Sequence, residues 1–181
     1  MIWTIGYFNM RSFIALELPQ EIKTYLYSTG QLIKNQCSGT CSKEENLHLT
    51  LAFLGDISQN QKEVLINTMS SYLKDKPSTL TLDKLGFFGS PQSATVYCSL
   101  KRSNELLSLV SQVNNCVKNA KIPLDERPFK AHLTLGRKVD FSQFRLNSVA
   151  INQIEFRPES ITLFKSTLTP QGPIYEAIKK V

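Results

Sequence analysis

The tetrapeptide His-Leu-Thr-Leu occurs twice in this chain of 181 residues, at positions 48–51 and 132–135. The chain has only two histidines, and each of them begins one copy of the tetrapeptide. A lone histidine on a strand is most often a surface or hydrogen-bonded residue, but both histidines in one repeat indicate a shared function. The repeat predicts two halves that fold alike and that each contribute one strand to a common site.

Strand geometry predicts where the repeated residues point, because successive side chains of a β-strand face opposite sides of the sheet. The apolar residues are expected to face the core: Leu47, Leu49, Leu51 and Phe53 in the first copy, Leu133 and Leu135 in the second. His48 and Thr50 then share the opposite face of one strand, and His132 and Thr134 share that of the other. If the halves pack about a pseudo-twofold axis, the two pairs line one cleft.

Two imidazoles and two hydroxyls suit phosphoryl transfer. Because histidine titrates at about pH 6.5, one neutral and one protonated ring can coexist near neutral pH. The neutral ring can take a proton from the attacking oxygen, and the charged ring can give one to the leaving oxygen. Thr50 and Thr134 are candidate phosphate-binding residues, although threonine is also a common strand former. No cofactor is predicted, and the sequence offers no convincing carboxylate cluster to hold a metal ion.

The rest of the chain mixes strands and helices without a long linker. Strands are predicted at 12–18, 47–54, 79–85, 94–100, 129–137, 148–157, 160–167 and 173–178, and the polar stretch 37–46 is left outside them. Helices are predicted at 20–35, 58–74 and 103–120. Ser58 and Gln61 predict a capping box at the start of the second helix. The apolar face predicted for the third helix consists of Leu106, Leu107, Val110, Val113 and Val117.

Charge and cysteine content restrict the class of protein only moderately. Lys and Arg outnumber Asp and Glu by 21 to 15, a net charge of +6 that suits RNA or a nucleotide but is not specific for either. The four cysteines (37, 41, 98 and 116) include no Cys-x-x-Cys pair, so reduced structural cysteines in a cytoplasmic protein are predicted. No apolar run reaches the roughly 18 residues of a membrane span, so no membrane partner is expected.

Segments beyond the repeat complete a recognisable pattern. Residues 11–19, 46–55, 127–137, 163–166 and 172–175 resemble the motif blocks of the two-histidine phosphoesterase superfamily, and more closely the RNA 2′,3′-cyclic phosphodiesterases, also called 2′-5′ RNA ligases. The resemblance runs from Met10 nearly to the C-terminus. With the repeat, it implies an α+β fold of two pseudo-symmetric lobes, in which antiparallel-rich sheets line a central cleft and helices lie outside. Residues 10–181 would form this single bilobal domain, and residues 1–9 an N-terminal extension.

The resemblance also implies an activity. A terminal 2′,3′-cyclic phosphate of RNA would be hydrolysed to a 2′-phosphate, with His48 as proton donor and His132 as proton acceptor. The symmetric sequence itself leaves open which histidine is which. Weak reverse joining of RNA ends through a 2′-5′ bond is implied as well, and a monomer is expected. The alternatives are a phosphodiesterase for 2′-5′ oligonucleotides or small cyclic nucleotide phosphates, and an RNA-binding module without turnover.

Three further residues are candidates for substrate contacts. Arg137 matches a family arginine near the substrate, yet strict alternation places it on the face opposite His132. To contact phosphate it would need a bend after Gly136 or a reach around the end of the strand, and a surface or structural arginine is the alternative. Lys130 precedes the second motif and is a candidate RNA contact, with a solvated surface lysine as the alternative. Tyr175 could stack on a base or belong to the core.

Overall fold

The computed structural model describes residues 9–181, so most of the predicted extension at 1–9 lies outside the described residues. The first half contains β1 (Met10–Glu17), α1 (Gln20–Lys34), β2 (Ser38–Cys41), β3 (His48–Ile57) and α2 (Gln59–Tyr72). The second half contains β4 (Leu80–Ser90), β5 (Ser93–Leu100), α3 (Asn104–Asn119) and β6 (His132–Asp140). The chain continues through β7 (Glu155–Phe156), β8 (Ile161–Thr169) and β9 (Gly172–Lys180).

The strands form two antiparallel sheets. The order is β3-β1-β8-β9 in the first sheet and β2-β6-β5-β4-β7 in the second. The strands that carry the repeat, β3 and β6, lie in different sheets and approach each other. The predicted α+β fold of two lobes is therefore confirmed, and the two histidine strands meet where the lobes join.

The helices cross from one lobe to the other. Although α1 follows a strand of the first sheet, its apolar face packs against β2 and β6 of the second. Gly30 allows this close approach, because a Cβ atom there would lie 2.8 Å from Cys41 Sγ. Conversely, α3 packs against α2 and β3. The predicted capping box at the start of α2 is present, with Ser58 accepting from Gln61 N and Gln61 accepting from Ser58 N. The contacts of α1 and α3 with the sheet of the other lobe join the two lobes.

Four predicted segments differ from the structure. The strand predicted at 79–85 is longer, because β4 pairs with β5 as far as Ser90. The stretch 37–46 contains β2, an edge strand with exposed side chains that therefore shows no alternating apolar pattern. The strand predicted at 148–157 shrinks to Glu155–Phe156, because only these residues pair with the start of β4. The strand predicted at 129–137 begins at His132, so Lys130 precedes it in a loop.

Candidate active site

The two histidines occupy equivalent positions as the first residues of β3 and β6. In each, Nδ1 lies 2.7 Å from the carbonyl oxygen two residues earlier, that of Asn46 for His48 and that of Lys130 for His132. A neutral ring that donates from Nδ1 to this carbonyl leaves Nε2 available for proton transfer. His48 Nε2 lies 3.0 Å from Thr50 Oγ1, as their shared face predicts. The backbone thus holds both rings in the same orientation.

A β-bulge follows the histidine motif in β3. Ala15 pairs with Thr50 and Ile14 with Ala52, so Leu51 is an extra residue in the ladder. An extra residue reverses the alternation beyond it. Ala52 is therefore buried, and Phe53, predicted to face the core, is 53% exposed. The core assignment of Phe53 was wrong because strict alternation ignores the bulge.

The same bulge occurs in β6. Tyr97 pairs with Thr134 and Val96 with Gly136, so Leu135 is the extra residue. Gly136 is buried, and Arg137 returns to the face of Thr134. The prediction that alternation turns Arg137 away from the histidines was wrong, and the bend lies one residue earlier than proposed. Phe53 and Arg137 therefore occupy equivalent positions in the two lobes.

The small edge strand β2 holds this bulge in place. Thr40 Oγ1 donates to the carbonyl oxygen of Arg137 at 3.0 Å, and Ser42 Oγ donates to that of Thr134 at 2.7 Å. The approach is so close that a Cβ atom on Gly136 would lie 2.9 Å from the carbonyl oxygen of Thr40. Glycine is thus required at this position by space, and the backbone around Arg137 is fixed from both sides.

The pKa shifts of the two histidines place Arg137 within electrostatic range of both. The pKa of His48 is lowered to about 4, first by burial and then by the positive charges of Arg137, His132 and Lys23, against a hydrogen bond to the Asn46 carbonyl that raises it. Burial also lowers the pKa of His132, and Arg137 adds to the effect. Arg137 therefore acts on both imidazoles at once. A lowered pKa favours the neutral form of both rings at pH 7 in the free protein.

Aromatic side chains enclose His48. The ring of Phe13 stacks on it at 4.7 Å between centroids, and Tyr175 meets it edge-on at 5.3 Å. Phe164 lies behind Phe13, with centroids 5.2 Å apart. Burial in this cluster raises the pKa of Tyr175, against the charges of Arg137 and Arg11. Tyr175, a predicted RNA contact, thus forms part of the wall around His48.

A second aromatic cluster lies beside His132. Phe88 meets its ring edge-on at 5.1 Å and Tyr97 lies at 5.5 Å, while Phe88 and Tyr97 stack at 4.4 Å. Gly86 leaves room for the tyrosine, because a Cβ atom there would lie 2.7 Å from its ring. Lys130 Nζ lies 5.7 Å from the centroid of Phe88. The lysine is therefore at the margin of the His132 side of the cleft.

Sequence reasoning missed Phe13, Tyr97 and Glu17 as neighbours of the histidines. Tyr97 could have been found, because buried residues alternate strictly in β5 and place it on the same face as Ser99, which pairs with His132. Glu17 pairs across the sheet with His48, but its carboxylate accepts hydrogen bonds from Thr162, Ser160 and Lys180. No local sequence signal reports these partners, which lie more than 140 residues away.

Residues 9–181 contain no group of three or more His, Cys, Asp or Glu side chains placed to hold a metal ion. The four cysteines are free, and Cys98 and Cys116 are buried. Across the same residues, no helix combines the length and apolar character needed to cross a membrane.

Comparison with known proteins assigns the family. The model of the LigT like phosphoesterase family matches residues 16–98 and 100–175. The chain belongs to the LigT-like phosphoesterases. This agrees with the resemblance of its motif blocks to two-histidine phosphoesterases.

Relatives of this LigT-like phosphoesterase match nearly the whole chain. An RNA 2′,3′-cyclic phosphodiesterase of Methanocaldococcus jannaschii is 29% identical over 177 residues, covering 94% of this chain and 99% of the relative. One of Thermotoga maritima is 27% identical over 175 residues, covering 93% of each. Among solved structures, TT0787 of Thermus thermophilus superposes with a TM-score of 0.79 at 24% identity, covering 94% of this chain and 96% of that one. This last likeness supports the fold.

Proposed function

We propose that this protein hydrolyses the 2′,3′-cyclic phosphate at the end of an RNA to a 2′-phosphate. The observation that carries the proposal is the pair of imidazoles held alike on matched strands, with Arg137 within electrostatic reach of both. Relatives that match this chain over more than nine-tenths of its length bear the name of that activity. The positive charge of Arg137 suits the anionic phosphate.

In the proposed reaction His132 acts as the base. Its Nε2 takes a proton from water while the water oxygen attacks phosphorus. The bond from phosphorus to the 3′ oxygen breaks, and His48 gives a proton from Nε2 to that oxygen. The products are a 2′-phosphate and a 3′-hydroxyl, and proton exchange with solvent restores both rings. Thr50, Thr134 and Arg137 bind the non-bridging oxygens.

His48 must be protonated to act as the donor, and its pKa in the free protein is about 4. A donor role therefore requires that bound substrate raise the pKa of His48. Burial and the charge of Arg137 both disfavour the protonated ring. A bound phosphate anion offsets the charge of Arg137 and favours the imidazolium. We therefore assign the protonation of His48 to the complex with substrate, not to the free protein.

The partner in this proposal is an RNA or oligonucleotide that ends in a cyclic phosphate. If a 5′-hydroxyl of a second RNA replaced water as nucleophile, the same steps would give a 2′-5′ linkage, which is the weak joining reaction implied by the family resemblance. A monomeric state and a cytoplasmic location remain predictions.

The test uses a short RNA ending in a 2′,3′-cyclic phosphate, in excess EDTA, with the product monoester identified by chromatography. We expect the wild-type protein to form the 2′-phosphate. His48→Ala and His132→Ala should each lose about 10²- to 10⁴-fold in rate, because one turnover needs both proton transfers. Circular dichroism checks that the variants are folded.

Other outcomes would redirect the assignment. Undiminished hydrolysis by either variant would contradict the two-histidine mechanism. If the wild-type protein left the ring intact, 2′-5′ oligonucleotides and small cyclic nucleotide phosphates would be the next substrates. Equal RNA affinity of the wild-type protein and His48→Ala, with no product from either, would indicate a binding module.

A further inference from the structure

A groove with a volume of about 450 Å³ opens beside His132 and leads to the start of α3. At the catalytic end it is bordered by Tyr97, which contacts the His132 ring, and by Lys130, whose carbonyl oxygen lies 2.7 Å from His132 Nδ1. Lys101 and Arg102 lie further along it. The groove therefore continues from the site of the proposed reaction along the second lobe.

The groove is positively charged. Lys101, Arg102 and Lys130 line it, all three are exposed, and none forms an ion pair within residues 9–181. Its lining includes no acidic side chain. Glu105, at the start of α3, accepts hydrogen bonds from the backbone and hydroxyl of Ser78 instead. Three unpaired cations in one groove favour an anionic ligand.

Aromatic and apolar side chains line the same groove as these cations. Tyr97 and Phe129 are partly buried and partly exposed in the groove, and Leu107 is 42% exposed there. Leu107 was predicted to lie on the core face of α3, and that prediction was wrong. Cations that follow a phosphate backbone, interleaved with aromatic rings for the bases, are characteristic of single-stranded nucleic acid binding.

We infer that this groove binds the nucleotides that precede the cyclic phosphate of a single-stranded RNA. The inference rests on the proposed function and deepens it, because it assigns the surface that binds the strand upstream of the cyclic phosphate and predicts a preference over a free nucleoside cyclic phosphate. A terminal nucleotide continues only through its 5′ oxygen, so the strand must leave the cleft in one direction. The groove takes it past Lys130, with upstream phosphates at Lys101 and Arg102 and bases against Tyr97 and Phe129.

The test compares two substrates, cytidine 2′,3′-cyclic phosphate and a trinucleotide that ends in the same group. Wild-type kcat/KM should be about tenfold or more higher for the trinucleotide, since only it can contact the groove. In the double variant Lys101→Ala/Arg102→Ala, this preference should largely disappear while hydrolysis of the mononucleotide is unchanged. The slope of log kcat/KM against log salt concentration for the trinucleotide should become shallower by about 1.4, which is about 0.7 for each of the two phosphate contacts removed.

The matched control is Lys74→Ala/Lys118→Ala, which removes two exposed lysines outside the groove. This variant should keep the trinucleotide preference. Equal wild-type kcat/KM for the two substrates, or a preference that survives in the groove variant, would overturn the inference.

A binding measurement separates this inference from the proposed function. Fluorescence anisotropy of a labelled trinucleotide bearing a 2′-phosphate should show weaker binding to the groove variant than to the wild-type and control proteins. If neither cyclic substrate were opened but this difference appeared, the proposed function would fail and the groove assignment would stand. Equal affinity for all three proteins would refute the groove assignment.

Discussion

At the scale of single residues, the site combines two chemically identical groups in unequal surroundings. Burial among aromatic rings, with the help of nearby positive charges, lowers the pKa of His48 to about 4, and burial together with the charge of Arg137 also lowers the pKa of His132. Each Nδ1 is bound to a backbone carbonyl, so the two rings differ in environment and not in orientation. The assignment of donor and acceptor can therefore be tested with a substrate whose leaving group does not need to be protonated.

Bis(p-nitrophenyl) phosphate provides that test, because its leaving group departs as a stable anion without a proton. If His48 is the donor, His48→Ala should lose far less activity on this ester than on the RNA substrate, while His132→Ala should lose about 10²- to 10⁴-fold on both. Initial rates of nitrophenolate release measure the effect. A larger loss in His48→Ala than in His132→Ala would exchange the two roles.

The low pKa of His48 also has a consequence for stability. The unfolded chain takes up a proton on this residue at about pH 6.5, and the folded protein only at about pH 4. Because the unfolded state binds more protons between these values, the free energy of unfolding should fall by about 3 kcal/mol as the pH drops from 6.5 to 4.

Urea unfolding of His48→Gln across this range measures the contribution. Between pH 6.5 and 4, the free energy of unfolding of His48→Gln should fall by about 3 kcal/mol less than that of the wild-type protein. The corresponding difference for His132→Gln should be smaller. A pH dependence in His48→Gln equal to that of the wild-type protein would contradict the buried, neutral state of His48.

At the scale of elements, the paired bulges decide which residues reach the cleft. Leu51 and Leu135 are the extra residues, and beyond them the two strands differ, with Ala52 and Phe53 in β3 but Gly136 and Arg137 in β6. The first lobe thus presents an aromatic ring where the second presents a guanidinium. In the proposed reaction, the duplication supplies the two histidines and this one-position divergence supplies the charge that would bind phosphate.

Gly136→Ala tests the close contact behind Arg137. The added Cβ atom would meet the Thr40 carbonyl oxygen at 2.9 Å, and a backbone atom in a paired strand cannot move aside easily. We expect a loss of about 1–3 kcal/mol in the free energy of unfolding. We also expect a lower kcat/KM, because Arg137 shifts with the strand.

Ala52→Gly is the matched control, since it makes the reciprocal change at the equivalent position of the other lobe. It should cost about 1 kcal/mol or less through backbone entropy and leave Arg137 in place. Equal kcat/KM in Gly136→Ala and the wild-type protein would show that the β2 contact does not position Arg137.

The sequence predicted the elements whose signals are local. Alternation and the repeated motif located β3 and β6, and the Ser58 cap located α2. The bulges at Leu51 and Leu135 were not predictable, because they depend on the register with β1 and β5. The strand β2 was missed because its side chains are exposed and polar. Arg137 and Phe53 were therefore placed on the wrong faces by a rule that was correct up to the bulge.

At the scale of the whole molecule, the two lobes are predicted to unfold as one unit. The apolar face of α1, which follows a strand of the first sheet, packs against the second sheet, and α3, which follows a strand of the second sheet, packs against β3 of the first. Each sheet therefore depends on a helix that is connected to the other sheet. Leu26, fully buried on α1, tests this coupling. Leu26→Ala should lower the free energy of unfolding by about 2–5 kcal/mol through the cavity it leaves.

Native-state hydrogen exchange shows which strands lose amide protection in Leu26→Ala. If the lobes unfold together, the slowest amides of β5 and β6 and those of β1 and β8 should lose protection by the same free energy. Val113→Ala on α3 should also lower amide protection equally in both sheets, although the size of the loss can differ from that in Leu26→Ala. If each variant lowered protection in one sheet only, the lobes would be independent units. The distance between His48 and His132 would then vary with the motion of one lobe against the other, and the crossed helices could not be what sets it.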